Sequence, residues 1–311
     1  VSDSPYLNAV VPHSEIGTDV GALIAYAQAA EDLGFKYLVA YDHVVGADPA
    51  SYPDRTLWHT KDDLFQEPLT LFSFLAGQTS RLGFSTGVVI LPQRQTVLFA
   101  KQAANVDHYC AGRLRIGVGT GWNQIEYEAL GENFENRGER FDEQINVLRQ
   151  LWSEPVVHIE TEHHTIKHAG VNPLPLQPVL PIWMGGSTRV ARRRAAALGD
   201  GWMPNVGVFP GSDNGLLTRS QVVELVEAYQ QDLRAAGRPL DAGGVETMTF
   251  LDRAAASEDW SWLKTCDVVA ERMTTLKGIS GFRGVTLDTH FRAPAPVDVH
   301  IDALARISSQ V

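Results

Sequence analysis

The chain predicts an α/β fold of the (β/α)8 or TIM-barrel kind, and three observations carry that expectation. Strand-like and helix-like segments alternate in eight successive units along 311 residues. Such alternation implies a parallel sheet with helices packed outside it, and eight units over this length suit a closed barrel better than an open doubly wound sheet. Two of the strand-like segments, 114–122 and 181–188, end in glycine-rich turns. An open dinucleotide-binding sheet would carry Gly-x-Gly-x-x-Gly after its first strand, but here that strand runs into Pro12-His13-Ser14-Glu15.

The elements follow in order. Residues 6–11 read as a strand, and 19–33 as a helix with apolar positions at helical spacing, stopped by Gly34. Residues 37–41 form the second strand and 68–79 its helix; 83–91 and 95–110 are the third pair. The fourth strand is 114–118, with a helix over 138–152, and the fifth is 181–184, with a helix over 189–198. Strands at 201–203, 245–250 and 284–287 pair with helices at 221–236, within 266–277, and at 297–307. Three stretches exceed a short loop: 44–67 after the second strand, 122–137 after the fourth, and 153–180 before the fifth, the last with a hairpin over 156–166. The first two lie on the C-terminal face, where barrel enzymes build their sites, and are expected to wall a substrate pocket. With no repeat, low-complexity tract or linker, residues 1–311 read as one domain.

Composition narrows the function. A net charge of -11 argues against a nucleic-acid or anionic-membrane surface. The run Arg192-Arg193-Arg194 is the exception and is expected to be a solvated helix face. Cys110 and Cys266 stand far apart in no Cys-x-x-Cys pattern and read as small buried hydrophobes, which fits a reducing cytoplasm. The N-terminus has no basic region followed by an apolar run, and no apolar stretch reaches membrane-spanning length. A cytoplasmic location is therefore expected.

The two glycine turns are chemically suggestive. Glycine lets backbone N–H groups approach a ligand closely, and a helix start just beyond adds positive dipole. Gly119-Thr120-Gly121 could be a plain tight turn. Gly185-Gly186-Ser187-Thr188 precedes an Arg- and Ala-rich helix, which Ser187 or Thr188 could cap. Together the turns suggest a phosphorylated cofactor lying across the ends of parallel strands.

The stretch from Arg81 to Trp152 carries a family resemblance. Its pieces are Leu91-Pro92-Gln93-Arg94, Ala100-Lys101-Gln102-Ala103-Ala104-Asn105-Val106-Asp107, Gly112-Arg113-Leu114-Arg115-Ile116-Gly117-Val118-Gly119-Thr120-Gly121-Trp122-Asn123 and Glu126-Tyr127-Glu128-Ala129-Leu130-Gly131. Arg137-Gly138-Glu139-Arg140, residues 181–187, Gly199-Asp200-Gly201-Trp202, and Ala30-Glu31-Asp32-Leu33-Gly34-Phe35 with Asp42-His43 extend it over almost the whole chain. The chain resembles the bacterial luciferase-like superfamily of flavin and deazaflavin oxidoreductases, and more narrowly its coenzyme F420-dependent branch.

That resemblance implies a tricyclic cofactor across the strand C-termini. Its phosphate would be held by Gly185, Gly186, Ser187 and Thr188, with Gly119, Thr120 and Gly121 approaching the same phosphate or ribityl chain. Trp122 and Met184 adjoin these turns and are expected beside the cofactor. Thr86-Gly87-Val88 matches a bulge that supports the ring, often through a non-proline cis peptide. Asp42 and His43 match a pair beside the ring, where the histidine aids proton transfer and the adjacent carboxylate orients it. The alternative is that Asp42 caps a loop and His43 packs. Relatives are often dimers, which implies a homodimer, and a separate flavin or F420 reductase as a partner.

Other candidates are weaker. His13 and Glu15 end the first strand and face either the pocket or a loop surface. Trp58, Phe65, Trp122 and Trp202 suggest apolar walls or simple packing. Trp122 replaces a glutamate of the deazaflavin sugar-phosphate dehydrogenases, which speaks against that activity. The segment 158–168, with His158, Glu160, Glu162, His163, His164 and His168, lacks metal-ligand spacing, so no metal is expected. Three functions remain open: an F420-dependent oxidoreductase acting on a small organic molecule, an FMN-dependent monooxygenase supplied by a reductase, and a non-catalytic flavin- or ligand-binding barrel.

Overall fold

The computed structural model describes residues 5–205, 216–251, 262–290 and 295–311. Its strands are β1 (Tyr6–Val10), β2 (Tyr37–Ala40), β3 (Gly83–Thr86), β4 (Val89–Ile90) and β5 (Leu114–Gly119). Then come β6 (Val157–Glu160), β7 (Thr165–Ala169), β8 (Ile182–Gly185), β9 (Gly201–Met203), β10 (Val245–Phe250) and β11 (Phe282–Asp288). β1 pairs in parallel with both β2 and β11, and this double pairing closes the sheet. The circuit runs β1, β2, β3, β5, β8, β9, β10, β11, every pair parallel. The expected eight-stranded barrel is therefore present.

One strand departs from expectation. The sequence reads 83–91 as continuous, but the structure interrupts it at Gly87-Val88, and β3 and β4 pair separately with β5. The Gly87–Val88 peptide is cis, as the resemblance implies. Thr86 spans the interruption, donating its hydroxyl to Gly117 O at 2.6 Å and accepting Gly117 N–H at 2.8 Å. Leu91–Gln93 forms a single 3₁₀ turn instead of continuing the strand.

The helices are α1 (His13–Ile16), α2 (Val20–Asp32), α3 (Pro68–Ala76), α4 (Thr96–Tyr109), α5 (Gln124–Ala129) and α6 (Arg137–Ser153). After β8 come α7 (Arg189–Leu198), α8 (Arg219–Ala235), α9 (Trp262–Thr274) and α10 (Val297–Ser308). Their starts carry local signals. Asp19 caps α2, Glu67 caps α3 with Pro68 at its first position, and Thr218 with Gln221 forms a capping box on α8. Helices α1 and α5 lie in stretches that read as loop; each is too short for a periodic signal. Among the described residues no helix is long and apolar enough to cross a membrane.

The arginine run is solvated only at Arg193. Arg192 meets Asp232 on α8 at 2.7 Å, Arg193 reaches the same carboxylate at 3.6 Å, and Arg194 pairs with Asp142 on α6. These contacts fasten α7 to both neighbours. Cys110 and Cys266 are buried, unbridged thiols, with burial pushing Cys266 up to about 12. The hairpin β6–β7 is antiparallel, and His164 at its tip contacts Thr96 on α4 at 2.6 Å and Glu143 on α6 at 2.5 Å.

The barrel interior holds a charged layer that hydropathy does not reveal. Arg115 on β5 is fully buried, with bonds to Glu246 on β10 at 2.7 and 3.1 Å and to Ser85 on β3 at 2.9 Å. Its guanidinium also lies over the rings of Tyr37 on β2 and Trp183 on β8. Thr286 on β11 donates to Glu246 at 2.9 Å. Arg115 and Glu246 each stand second in their strands, below the C-terminal mouth.

Candidate active site

Chain geometry puts His43 at the mouth, three residues beyond the end of β2, and the structure gives it a carboxylate partner that sequence reasoning missed. His43 Nδ1 lies 3.2 Å from Glu126 Oε1, on α5. The same oxygen accepts Val44 N–H at 3.1 Å and lies 3.6 Å from His59 Nε2. Asn123 caps α5, and this places Glu126 in the first turn of that helix, within reach of His43. Burial opposes ionisation of Glu126, but the bonds from His43 and His59 prevail and hold its carboxyl down at about 2. Burial likewise disfavours a charged His59, yet Glu126 and Val45 O raise its pKa above the usual value. With Glu126 ionised, His43 donates from Nδ1, leaving Nε2 as its free nitrogen.

The three ligand-type atoms of His43, His59 and Glu126 lie within 4.8 Å of one another. Their arrangement is that of donors around one acceptor. A single carboxylate oxygen takes all three contacts, one from a backbone N–H, and His59 Nε2 also lies 3.3 Å from Val45 O, which calls for a proton on that nitrogen. The rings lie close, with His43 and His59 tilted at 37° and their centroids 3.8 Å apart, and Phe65 edge-on to His43 at 4.7 Å.

Asp42 does not orient His43. It is buried, and its carboxylate takes Arg94 Nη2 at 2.7 Å and Ile90 N–H at 3.1 Å. Arg94 continues to Glu67 at 3.0 Å. Asp42 thereby ties the end of β2 to β4 and to the cap of α3. Adjacent residues after a strand point in different directions, so the neighbour in sequence is not the neighbour in space.

The expected walls face each other. Residues 55–57 of the first insertion and Trp122, Ile125 and Phe134 of the second line a common groove. Trp122 is 51% exposed and edge-on to His59, and Trp58 is 70% exposed. Trp202 is no wall: it is 1% exposed and donates Nε1–H to Gly186 O at 2.8 Å, bracing the turn from beneath.

The glycine turns follow β5 and β8, at the same end of the barrel as His43. Gly186 has φ +109, and a Cβ there would come within 2.8 Å of Ala191 Cβ. Thr188 caps α7 through Ala191 N–H at 3.1 Å, while Ser187 turns its hydroxyl to Asn205 O at 2.8 Å. The N–H groups of Ser187 and Thr188 have no partner among the described residues. Gly121 has φ +68, and Thr120 O accepts the Tyr127 hydroxyl at 2.7 Å. Val88 stands between Gly119 and Gly185, whose missing side chains make room for it: a Cβ on either would meet Val88 at 2.8 and 3.0 Å. Gly87 and Val88 are partly exposed at the mouth, whereas Thr86 and Met184 are fully buried and support the rim without reaching into it.

His13 is wholly buried, and its Nδ1 accepts Gln66 N–H at 3.2 Å. Glu15 accepts Ala295 N–H at 2.9 Å and lies 3.1 Å from His300. Neither occupies a loop surface. Asp288 and His290, joined at 2.6 Å, end the last strand and were missed by sequence reasoning. The available signal was the acid–x–imidazole spacing after a strand.

The luciferase-like monooxygenase family profile matches residues 5–259, and the chain belongs to that family. Its members are oxidoreductases or monooxygenases, some F420-dependent and some FMN-dependent. An uncharacterised protein of Mycobacterium tuberculosis is 34% identical over 200 residues, covering 63% of this chain and 69% of its own. The F420-dependent hydroxymycolic acid dehydrogenase of the same organism is 27% identical over 271 residues, 85% of this chain and 68% of its own. The FMNH(2)-dependent dimethylsulfone monooxygenase of Pseudomonas putida is 28% identical over 213 residues, 67% of this chain and 51% of its own. In fold, the monooxygenase RslO1 from Streptomyces bottropensis superposes with a TM-score of 0.76 at 19% identity, covering 98% of each chain. An F420-dependent secondary alcohol dehydrogenase in complex with an F420-acetone adduct gives 0.75 at 15%, covering 99% of this chain and 98% of its own.

Proposed function

We propose that the protein is a coenzyme F420-dependent oxidoreductase acting on a small organic substrate. The observation that carries this reading is the Glu126–His43 couple, an imidazole with a free Nε2 fixed by a buried, ionised carboxylate at the end of the second barrel strand. The residues present suit a phosphorylated tricyclic group: the N–H groups of Ser187 and Thr188 are unpaired among the described residues, and Gly186 keeps the approach open. Gly87 and Val88 would support the ring, and Gly121 would approach the phosphate or ribityl chain. When bound, the deazaflavin would supply the hydride chemistry, and the protein supplies orientation and proton handling.

Oxidising an alcohol frees a proton from its oxygen as the carbon loses hydride. His43 Nε2 takes that proton, and in the reverse direction returns it. Glu126 stabilises the imidazolium so formed and keeps the proton on Nδ1 in the resting state. Phe65, His59 and Trp122 pack around the couple and limit water access.

The likeness to the dimethylsulfone monooxygenase supports an FMN-dependent reading as the second choice. The test compares dissociation constants for F420 and FMN by quenching of tryptophan fluorescence, then single-turnover rates of wild type and His43→Ala. Tighter F420 binding and a rate reduced about 10²-fold, with little change in cofactor affinity, is expected. Tighter FMN binding with oxygen-dependent product would replace this reading with the monooxygenase. Binding without turnover on any alcohol or carbonyl tested would leave a ligand-binding barrel.

A further inference from the structure

We propose that His13 and His290 form a second polar end of the barrel mouth, which binds an uncharged carbonyl oxygen of the substrate apart from the oxygen served by His43. The inference deepens the proposed function, since it rests on the mouth being the substrate site.

His290 is built as a donor. Both oxygens of Asp288 are committed: Oδ2 accepts the Tyr41 hydroxyl at 2.5 Å, and Oδ1 accepts His290 N–H at 2.9 Å and Nδ1–H at 2.6 Å. The ring also stacks on Tyr41 at 6.2 Å. With Nδ1 anchored, Nε2 is the edge left to a ligand. Burial disfavours charge on His290, but Asp288 and then Glu15 raise its pKa above the usual value, which favours the form in which Nε2 also carries a proton.

His13 contributes a second donor of a different kind. It accepts Gln66 N–H at Nδ1, which places its own proton on Nε2. That Nε2–H is buried with no partner among the described residues. A buried unpaired donor is destabilising, and a ligand oxygen would offset that cost. Burial, with the nearby His290, pushes the His13 pKa down to about 3, so the ring stays neutral.

Position makes the two a subsite. His13 follows β1 and His290 follows β11, and these strands are paired neighbours. His290, Asp288 and His43 all lie within electrostatic reach of His13. Phe65 packs on His13 at 5.9 Å and on His43 at 4.7 Å, so an apolar ring separates the two polar ends. The charge balance selects the ligand. Any charge on His290 is already matched by Asp288, Glu15 adds further negative charge, and His13 is neutral. Two N–H donors in that surrounding favour a neutral acceptor over a carboxylate. The substrate class is thus a molecule with the reacting alcohol or carbonyl at one end and a second carbonyl across an apolar spacer.

The test needs neither cofactor nor turnover, so its failure is distinct from failure of the F420 reading. In the ¹⁵N-histidine-labelled full chain, long-range ¹H–¹⁵N spectra from about pH 5 to about pH 8 should show His13 as the neutral Nε2–H tautomer throughout. His290 should titrate above its ordinary value, and Asp288→Asn should bring it back down. Acetamide, a neutral carbonyl probe, should shift both Nε2 signals saturably, and His290→Ala should weaken that binding about fivefold, the loss of one hydrogen bond. Asp288→Asn serves as the second variant if His290→Ala fails to fold, and it should weaken acetamide binding in the same sense. Non-saturable shifts, unchanged affinity in the variants, or tighter binding of acetate than of acetamide would overturn the proposal.

Discussion

Glu126 and Asp42 are both buried acids at the barrel mouth, and their partners give them opposite uses. Asp42 is neutralised by Arg94 and spent on joining strands. Glu126 is neutralised by imidazoles that can exchange protons, so its ionisation is coupled to theirs. The pH dependence follows with two signs. The Glu126 carboxyl is held at about 2 against an ordinary 4.5, so its contribution to stability is complete above 4.5 and lost as pH falls toward 2. His59 is raised above 6.5, so its contribution is complete below 6.5 and lost as pH rises through the raised value. Glu126→Gln should therefore cost most stability between about pH 4.5 and about pH 6.5, with the gap to wild type narrowing on both sides. Urea unfolding of both proteins across this range checks it; a gap that does not vary with pH would contradict the coupling. The same variant should lower turnover about tenfold or more by freeing the His43 ring, while cofactor affinity changes little.

At the scale of elements, the junction of β8 and α7 shows how a short motif depends on distant support. Thr188 caps the helix, and its loss in Thr188→Ala should cost about 1 kcal/mol in calorimetry. Gly186 has both a positive φ and a neighbour at 2.8 Å from any Cβ, so Gly186→Leu distorts the turn whatever rotamer it adopts. Cofactor affinity in that variant should fall by more than about tenfold with the fold retained, and unchanged binding would remove the turn from the site. The turn was legible in the sequence because glycine, glycine and a capping hydroxyl are a local code. Its brace was not, because the bond from Trp202 to Gly186 O crosses to the next strand and reads in sequence only as an aromatic residue after Gly201.

Across the whole molecule, the Arg115–Glu246 pair joins β5 to β10 through the barrel interior. Removing one partner of a buried ion pair leaves the other uncompensated, which costs about 3–5 kcal/mol. Glu246→Gln should lower unfolding stability by that amount in urea titration, with cofactor affinity unchanged, since both partners stand second in their strands, below the mouth. A change below about 1 kcal/mol would show that the interior layer is not coupled to closure of the barrel. Single-residue hydropathy conceals this layer: Arg115 sits in a strand otherwise rich in apolar residues, and only closure turns it inward onto Glu246 and Ser85.

The alternation of strands and helices, the places of the longer helices and the two glycine turns were determined by the sequence alone. Periodicity, capping and turn chemistry act over a few residues and are written where they act. The tertiary structure decided which acid serves which imidazole. Asp42 adjoins His43 in sequence but binds Arg94, while Glu126, 83 residues away, takes the ring. It also decided that Asp288, His290 and His13 share one rim, because residues from the first and last strands become neighbours only when the sheet closes. Local patterns specify the elements; side-chain pairing depends on closure and register, which no short window of sequence contains.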